Sequence, residues 1–135
     1  MIEYRTGNDL DPDAVIDLYN DTTLGARRPV GDRERMRLML ANANLVITAW
    51  HDGRLVGIAR SVTDFAYATY LSDLAVRQAY QRQGIGKELM RRTQQAAPQS
   101  SVILLSAPAA QKYYPHVGFT QHPSAWVLKP DEKIV

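Results

Sequence analysis

The run from Tyr80 to Leu89 has the residue types and the spacing that bind a phosphate group. Gly84 and Gly86 are separated by one residue, and Gln, Arg and Lys side chains flank them at the start of a helix-forming segment. An apolar, strand-like run, Leu71–Val76, precedes them. The first N–H groups of a helix have no intrahelical acceptor, the helix dipole favours an anion there, and glycine lets the backbone approach a bulky diphosphate. The pattern therefore predicts a phosphate cradle between a strand and a helix.

Two common phosphate-binding loops are excluded by the residues around these glycines. A Walker loop has four residues between its glycines and a Ser or Thr after its lysine, whereas Gly86-Lys87 is followed by Glu88. A dinucleotide-binding fingerprint needs a third glycine three positions after Gly86, where this chain has Leu89. Taken alone, the run could also be an ordinary tight turn that caps a helix without a ligand.

The composition is that of one ordinary globular domain. The chain has 135 residues, of which 45% are hydrophobic and 22% are charged, so it can bury one core. We therefore expect a single domain over residues 1–135. A net charge of +2 gives no basis for bulk electrostatic binding to nucleic acid or to a membrane, and neither is expected as a partner.

The cysteine count and the apolar runs exclude further classes of protein and of site. The absence of cysteine excludes disulfides, thiolate metal sites and a cysteine nucleophile, and the three histidines lack metal-ligand spacing. We expect no metal. The N-terminus has no apolar signal core, and the apolar runs are far shorter than a membrane span, which favours a cytoplasmic protein.

Short-range signals divide the chain into strands and helices. Asp11 before Pro12 is a helix start, Asp32 can cap a second helix, and Asp52-Gly53 is a hairpin turn. The continuous apolar run 102–105 is typical of a strand buried on both faces. The predicted strands are 2–5, 45–50, 55–62, 67–76, 102–105 and the final strands from 117 through 128. Two predicted helices begin at 11 and 32. Two more cover 84–97 and 108–114, and the last is broken at Pro115. The order is β-α-α-β-β-β-α-β-α-β.

Gln81-x-x-Gly84-x-Gly86 resembles the coenzyme A loop of the GNAT family of acyl-CoA-dependent N-acetyltransferases. A second segment, residues 110–119, is similar to the closing pattern of that family, in which an aromatic-Tyr pair is followed after three residues by Gly118-Phe119. The order of elements is also that of the family, and the resemblance covers nearly the whole chain. It implies an α/β (α+β) GNAT fold, with a mixed central sheet that is flanked by helices and splayed at the acyl-CoA site.

The resemblance implies transfer of the acetyl group of acetyl-CoA to a primary amine, by direct attack in a ternary complex. In the family, backbone N–H groups of the glycine loop surround the pyrophosphate, here with positive charge from Arg82 and Lys87, although Arg82 could instead be a solvated loop residue. The strand before the loop carries a β-bulge and splays from its neighbour, so that its free backbone pairs with pantetheine. The expected coenzyme-binding residues are Leu74, Ala75, Val76, Gln81, Arg82, Gln83, Gly84, Ile85, Gly86 and Lys87.

Two residues are expected to take part in the chemistry. Tyr114 matches the catalytic tyrosine of the family, and a tyrosine hydroxyl with a pKa of about 10 stays protonated at neutral pH and can protonate a thiolate. Its neighbour Tyr113 is expected in the core, and packing roles for both are the alternative. Asp73 stands where many members carry an acid that binds or deprotonates the amine, on one strand face with Ala75. A structural carboxylate is an equal alternative for Asp73.

The sequence leaves the amine acceptor open. The resemblance places acceptor selection in the loop between the first two helices, and residues 22–31 hold Arg27 and Arg28 and no carboxylate, which disfavours a polyamine. Either arginine could pair with a carboxylate or phosphate of the acceptor, or be exposed. We expect a small primary amine; a peptide amine, an aromatic amine and a homodimer are also open. The competing hypotheses are a non-catalytic acyl-CoA-binding GNAT module and an unrelated nucleotide-binding domain.

Overall fold

The computed structural model describes residues 1–135, which form five strands and four helices. The predicted order of elements is confirmed up to the last helix. The strands are β1 Glu3–Thr6, β2 Leu45–His51, β3 Arg54–Thr63, β4 Ala68–Val76 and β5 Ser101–Ile103; the helices are α1 Pro12–Asn20, α2 Arg33–Ala41, α3 Ile85–Ala96 and α4 Tyr113–His116; short 3₁₀ turns cover Thr23–Ala26, Gln78–Tyr80 and Pro108–Ala110.

The chain divides into two compact units, Met1–Leu105 and Ser106–Val135. The first unit contains one sheet with the strand order β1-β2-β3-β4-β5. The first four strands are antiparallel neighbours, whereas β5 runs parallel to β4. The sheet is therefore mixed, as the sequence predicts. No helix combines the length and the apolar character that crossing a membrane requires.

The helix caps and the hairpin turn predicted for the first unit are present in the structure. The Asp11 carboxylate accepts a hydrogen bond from the Asp13 N–H, with Pro12 at the first helical position, and the Asp32 carboxylate caps α2 in the same way. Between β2 and β3, Asp52 and Gly53 have φ angles of +49° and +78°, the left-handed conformation that a two-residue hairpin turn requires. These caps and this turn fix where the elements begin and end.

The helices of the first unit cover both faces of the sheet. Ile58 of β3 is buried in a cluster with Val15 and Leu18 of α1, whereas its neighbour Gly57 lies against Leu89 of α3. Successive residues of a strand point to opposite faces, so α1 and α3 pack on opposite sides. The buried cluster on the α1 side consists of Val15, Leu18, Tyr19, Leu24, Met36, Leu40, Ala43, Val46, Leu55, Ile58 and Ala75.

The predicted strand at 102–105 is wrong in its extent and in its burial. Only Ser101–Ile103 form β5, and this strand has a neighbour on one side alone because it lies at the edge of the sheet. Ile103 is 53% exposed and Leu105 is 47% exposed. A continuous apolar run is buried on both faces only where other elements cover both faces, and the side chains of Ile103 and Leu105 are not covered in this way.

The final strands predicted between 117 and 128 do not form. Residues 126–128 lack strand pairing, and their side chains are exposed, Trp126 by 91%. The apolar run Ala125–Leu128 is only four residues long, and Pro123 and Pro130 limit it on both sides because proline cannot donate to a strand ladder. Pro115 does not break a helix either. It is the third residue of α4, where the backbone N–H would have no intrahelical acceptor.

Gly57→Val should destabilise the protein by crowding the interface between α3 and β3. A Cβ atom at Gly57 would lie 3.1 Å from Leu89 Cδ1 and 3.3 Å from Ile85 Cγ2, and both of these side chains are buried. Overpacking of this kind costs about 1–3 kcal/mol, so the urea midpoint of unfolding should fall. The control is Gly31→Val, since an added Cβ at Gly31 meets no atom within 4 Å. Equal midpoints for Gly57→Val and the wild type would contradict this packing.

Candidate functional site

The predicted phosphate cradle has the backbone geometry of an anion site. Gly84 precedes the first residue of α3 in the left-handed conformation (φ +82°), and no side chain caps the helix there. The first turn closes with the hydrogen bond from the Glu88 N–H to the Gly84 carbonyl, 3.0 Å long. The N–H groups of residues 85–87 therefore lie at the positive end of the helix dipole, outside the intrahelical ladder. This is the arrangement that binds a phosphate in other proteins.

Several hydrogen bonds hold the loop between β4 and α3 in place. Gln81 Nε2 donates to the carbonyl of Val76 at the end of β4 (2.9 Å), and the Tyr80 N–H donates to the carbonyl of Arg77 (2.9 Å). The Tyr80 hydroxyl lies 2.7 Å from Nδ1 of His51. His51 is thus half-buried against this tyrosine. The Gln81 side chain stabilises the loop from within.

The basic side chains of the cradle are exposed. Arg82 has a φ of +64°, an uncommon conformation for a residue with a side chain, which costs on the order of 1 kcal/mol and often marks a functional loop. Lys87 lies in the first turn of α3. Arg82 also lines a cavity of about 430 Å³ with Thr22, Thr23, Gln78 and Gln81, so the start of the α1–α2 loop and the cradle share one concave surface.

The strand before the cradle has both features that the resemblance implies, a bulge and a splayed edge. Arg60 of β3 pairs with Asp73, whereas Ser61 pairs with Leu71, so Ser72 is one extra residue in β4. On its other side β4 pairs with β5 only from Ala68 to Tyr70. The backbone edge of residues 72–76 therefore has no strand beside it. Leu74, Ala75 and Val76 lie on this edge, with Ala75 buried and the other two half-buried.

Asp73 lies at the centre of a buried polar network. Its carboxylate accepts hydrogen bonds from the Tyr19 hydroxyl, from Arg28 Nε and from Arg60 Nε, each 2.6 Å long. The Ser72 hydroxyl lies 3.2 Å from the same carboxylate. The side chain of Asp73 is fully buried, and that of Arg60 is 9% exposed. Three separate elements and the loop after α1 meet at this carboxylate.

The network shifts the pKa values of its members. Burial alone would raise the pKa of Asp73, but hydrogen bonds from Arg60 and Tyr19 and the charges of Arg60 and Arg28 outweigh it, and the pKa is lowered. Burial, with the Asp73 charge second, raises the pKa of Tyr19 well above its usual value. Asp73 is therefore an anion whose oxygens are already bound, an arrangement that suits a structural carboxylate better than a general base. Its catalytic role stays a prediction.

The two arginines predicted to meet the acceptor have different surroundings. Arg28 donates from Nε to Asp73, from Nη2 to the carbonyl of Ser72 (2.8 Å) and from Nη1 to the carbonyl of Arg27 (2.8 Å). Its side chain is only 19% exposed. Arg27 is exposed. Of the two, Arg27 has the side chain in solvent, whereas Arg28 links the loop to the β4 bulge.

Tyr114 belongs to the second unit, where it joins α4 to the turn that follows. Its ring packs edge to face against Tyr113 and Phe119, with centroid distances of 5.4 and 5.5 Å. The Phe119 N–H donates to the Tyr114 carbonyl (3.1 Å) across Gly118, whose φ of +99° closes the turn. The expectation that Tyr113 is a core residue is wrong: it is 40% exposed, and Tyr114 is the more buried of the two.

The sequence does not show the roles of three buried residues, which are Tyr19 and Arg60 of the Asp73 network and Arg77 of the loop after β4. Tyr19 lies on the buried face of α1, and only the fold brings its hydroxyl to Asp73. Arg60 is a charged residue within an apolar strand, and a buried charge needs a buried partner. Arg77, at the end of β4, is 4% exposed and donates to the carbonyl of Leu55 (2.7 Å) and to Asp17 (2.8 Å).

Comparison with known proteins identifies the family. Residues 21–127 match the family described as an acetyltransferase (GNAT) domain. An uncharacterized N-acetyltransferase ycf52-like protein of Prochlorococcus marinus is 31% identical over 105 residues, which cover 73% of this chain and 57% of that protein. The chain therefore belongs to the GNAT acetyltransferase family, as its motifs predict, and spans less than two thirds of this relative's length.

Solved structures confirm the fold. A GNAT-family acetyltransferase from Streptococcus pneumoniae superposes with a TM-score of 0.75 at 23% identity, over 96% of this chain and 99% of that one. The aminoglycoside N-acetyltransferase AAC(6′)-Iy, solved in complex with CoA, has a TM-score of 0.74 at 16% identity, over 97% and 95% of the two chains. The sheet and helices described above are thus those of a GNAT fold.

Acid unfolding should depend on Asp73. Because its pKa is lowered in the folded state, its charge stabilises the fold above the unfolded-state pKa of about 3.9, and this stabilisation is lost as the pH falls through the folded-state value. Asp73→Asn should lower the urea midpoint at pH 7 and flatten its decline below about pH 4. The matched control is Asp52→Asn, which changes a carboxylate that is 90% exposed and should keep the wild-type profile. A wild-type acid profile in Asp73→Asn would contradict the buried network.

Proposed function

We propose that this protein is an N-acetyltransferase that transfers the acetyl group of acetyl-CoA to a small primary amine, by direct attack in a ternary complex. The observation that carries the proposal is the unpaired backbone edge of β4, which leads directly into an uncapped helix N-terminus at Gly84. A coenzyme with an amide-containing arm and a pyrophosphate needs both features, one after the other.

The free edge and the cradle fit the two parts of the coenzyme. The backbone of residues 74–76 has no strand beside it, although the Val76 carbonyl already accepts a hydrogen bond from Gln81 Nε2. Pantetheine amides can pair with such an edge as an added strand. The N–H groups of residues 84–87 suit the pyrophosphate, and Arg82 and Lys87 add positive charge. Gln81, Gln83 and Ile85 contribute through the backbone shape of the loop.

The proposed reaction forms one bond and breaks one. The amine nitrogen attacks the thioester carbonyl carbon, the new C–N bond forms, the C–S bond breaks, and the thiolate of coenzyme A leaves with the electron pair. Tyr114 gives its hydroxyl proton to this thiolate, and the amine loses a proton to solvent. Tyr114 then regains a proton, so that product amide and coenzyme A thiol are released. No metal takes part in this scheme.

The acceptor is proposed to be a small amine that is not a polycation. Residues 22–31 hold no carboxylate, and the adjoining cavity of about 430 Å³ is lined by hydroxyl and amide groups and one guanidinium. Exposed Arg27 could bind a carboxylate or phosphate of the acceptor. One structural neighbour, at 16% identity, is an aminoglycoside N-acetyltransferase. It supports acetyl transfer to an amine, but aminoglycosides carry several amino groups, and this loop without carboxylates does not favour such a substrate.

The proposal is tested by measuring release of free thiol from acetyl-CoA across a panel of primary amines and peptides. Thiol release that depends on a small amine supports the proposal, and release with peptides only would change the acceptor class. Coenzyme binding without release would indicate a non-catalytic acyl-CoA-binding module. Absence of binding would refute coenzyme use.

Gly86→Asp should weaken acetyl-CoA binding without unfolding the protein. An added carboxylate in the first turn of α3 suits the helix dipole, so the fold should persist, but it would face the pyrophosphate. Like charges a few ångströms apart cost about 1 kcal/mol or more even in water, so affinity measured by calorimetry should fall on the order of tenfold or more. Gly86→Ala is the uncharged control. Unchanged affinity of the Asp variant would contradict the cradle.

Tyr114→Phe should reduce turnover while coenzyme binding persists. The substitution deletes only the hydroxyl, and loss of a positioned general acid typically lowers kcat on the order of 10²–10⁴-fold. The matched control is Tyr113→Phe, the neighbouring and more exposed tyrosine, which should keep a kcat near that of the wild type. A larger loss in the control would reverse the assignment, and wild-type kcat in both variants would mean that solvent delivers the proton.

A further inference from the structure

We propose that Asp73, Arg28 and Arg60 are positioning residues for acetyl transfer, which together fix the β4 bulge and the loop between α1 and α2 in one arrangement. This inference rests on the proposed function, because it assigns the three side chains to the same site. None of them needs to touch the coenzyme or the amine. They act through the backbone of Ser72 and through the loop that carries Arg28.

The bulge residue Ser72 is bound by both arginines. A bulge residue has no partner in the strand ladder, so its polar groups need other partners. The Ser72 carbonyl accepts a hydrogen bond from Arg28 Nη2 at 2.8 Å, and the Ser72 hydroxyl accepts one from Arg60 Nη2 at 3.0 Å. One arginine comes from the loop after α1 and the other from β3. The position of the bulge is thus set from two directions.

Asp73 orients both arginines by the same geometry. Each guanidinium donates from Nε to one oxygen of the Asp73 carboxylate, and from Nη2 to Ser72. This paired use of Nε and Nη2 depends on the planar fork of arginine and cannot be reproduced by lysine, whose donors radiate from one nitrogen. Tyr19 fills a further position on the carboxylate. Because one carboxylate binds both guanidinium groups, each contact depends on the others.

The bulge lies at the point where its position matters most for the proposed reaction. β4 loses its neighbour β5 after Tyr70, Ser72 is the bulge, and the free edge of residues 74–76 follows at once. A change at Ser72 therefore moves the backbone that would pair with pantetheine, while Arg28 ties the loop on the acceptor side to the same point. A displacement of about 1 Å can cost on the order of 10²-fold in rate.

Arg28→Lys tests the proposal while leaving the Arg60–Asp73 pair intact. Lysine keeps the positive charge, so the protein should fold, but the two-atom contact with Asp73 and Ser72 is lost. We expect kcat to fall on the order of 10- to 100-fold, with affinity for acetyl-CoA changed much less. We also expect faster hydrogen exchange at amides 22–31 and 72–76 in the protein without ligands. The matched control is Arg37→Lys, on the exposed Arg37–Glu34 pair of α2, which should change neither readout.

Two results for Arg28→Lys would overturn the proposal. Wild-type exchange rates would show that Arg28 does not fix these segments. Faster exchange with wild-type kcat would show that fixing them is not needed for turnover. Hydrogen exchange requires no acceptor, so its failure is distinguishable from failure of the proposed function, which would be seen as absence of thiol release by the wild type. Absence of thiol release by the wild type would refute the proposed function and, with it, the role of the network in acetyl transfer.

Asp73→Asn separates positioning from general-base catalysis. If Asp73 positions the arginines, kcat should fall, the acidic limb of the kcat/KM profile should stay at its wild-type pH, and the double variant with Arg28→Lys should lose less than the sum of the two single losses. Disappearance of the acidic limb would overturn the proposal in favour of a base. Additive losses would also overturn it, since they would mean that the two residues act independently.

Discussion

One buried carboxylate joins the parts of the first unit on which the proposed site depends. Asp73 of β4 accepts hydrogen bonds of 2.6 Å from Arg60 of β3, from Arg28 of the α1–α2 loop and from Tyr19 of α1. Removing one member of a buried ion pair typically costs about 3–5 kcal/mol, because the other charge is left without a partner. The sheet, a helix and the loop are thereby joined at one carboxylate.

The proposed function depends on the irregular part of the sheet. β4 departs from a regular strand through its bulge at Ser72 and through the loss of β5 beyond Tyr70, and the cradle at Gly84 follows a few residues later. A strand with a neighbour on each side satisfies its own backbone groups, whereas residues 72–76 have a neighbour on one side only. The charged network binds the bulge residue Ser72 through Arg28 and Arg60.

Local signals predicted most of the fold, and non-local contacts explain the failures. The cap at Asp11, the turn at Asp52 and the glycine loop were predicted because each depends on a few adjacent residues. The partners of Asp73 were not predicted, because the pairing of Arg60 with Asp73 depends on strand register and on the bulge. The strands expected after residue 117 were wrong because a four-residue apolar run between prolines has no alternation. The glycine motif could be identified in the sequence directly, whereas the role of Asp73 could not be predicted from it.

A crystal structure of the protein with acetyl-CoA would test the central claim most directly. The account predicts that the pantetheine amides pair with the backbone of residues 74–76 and that the pyrophosphate oxygens accept hydrogen bonds from the N–H groups of residues 84–87. It also predicts that Asp73 keeps its hydrogen bonds to Arg28 and Arg60 and makes none to the coenzyme. A coenzyme bound away from β4, or a pyrophosphate that does not contact the start of α3, would contradict the account.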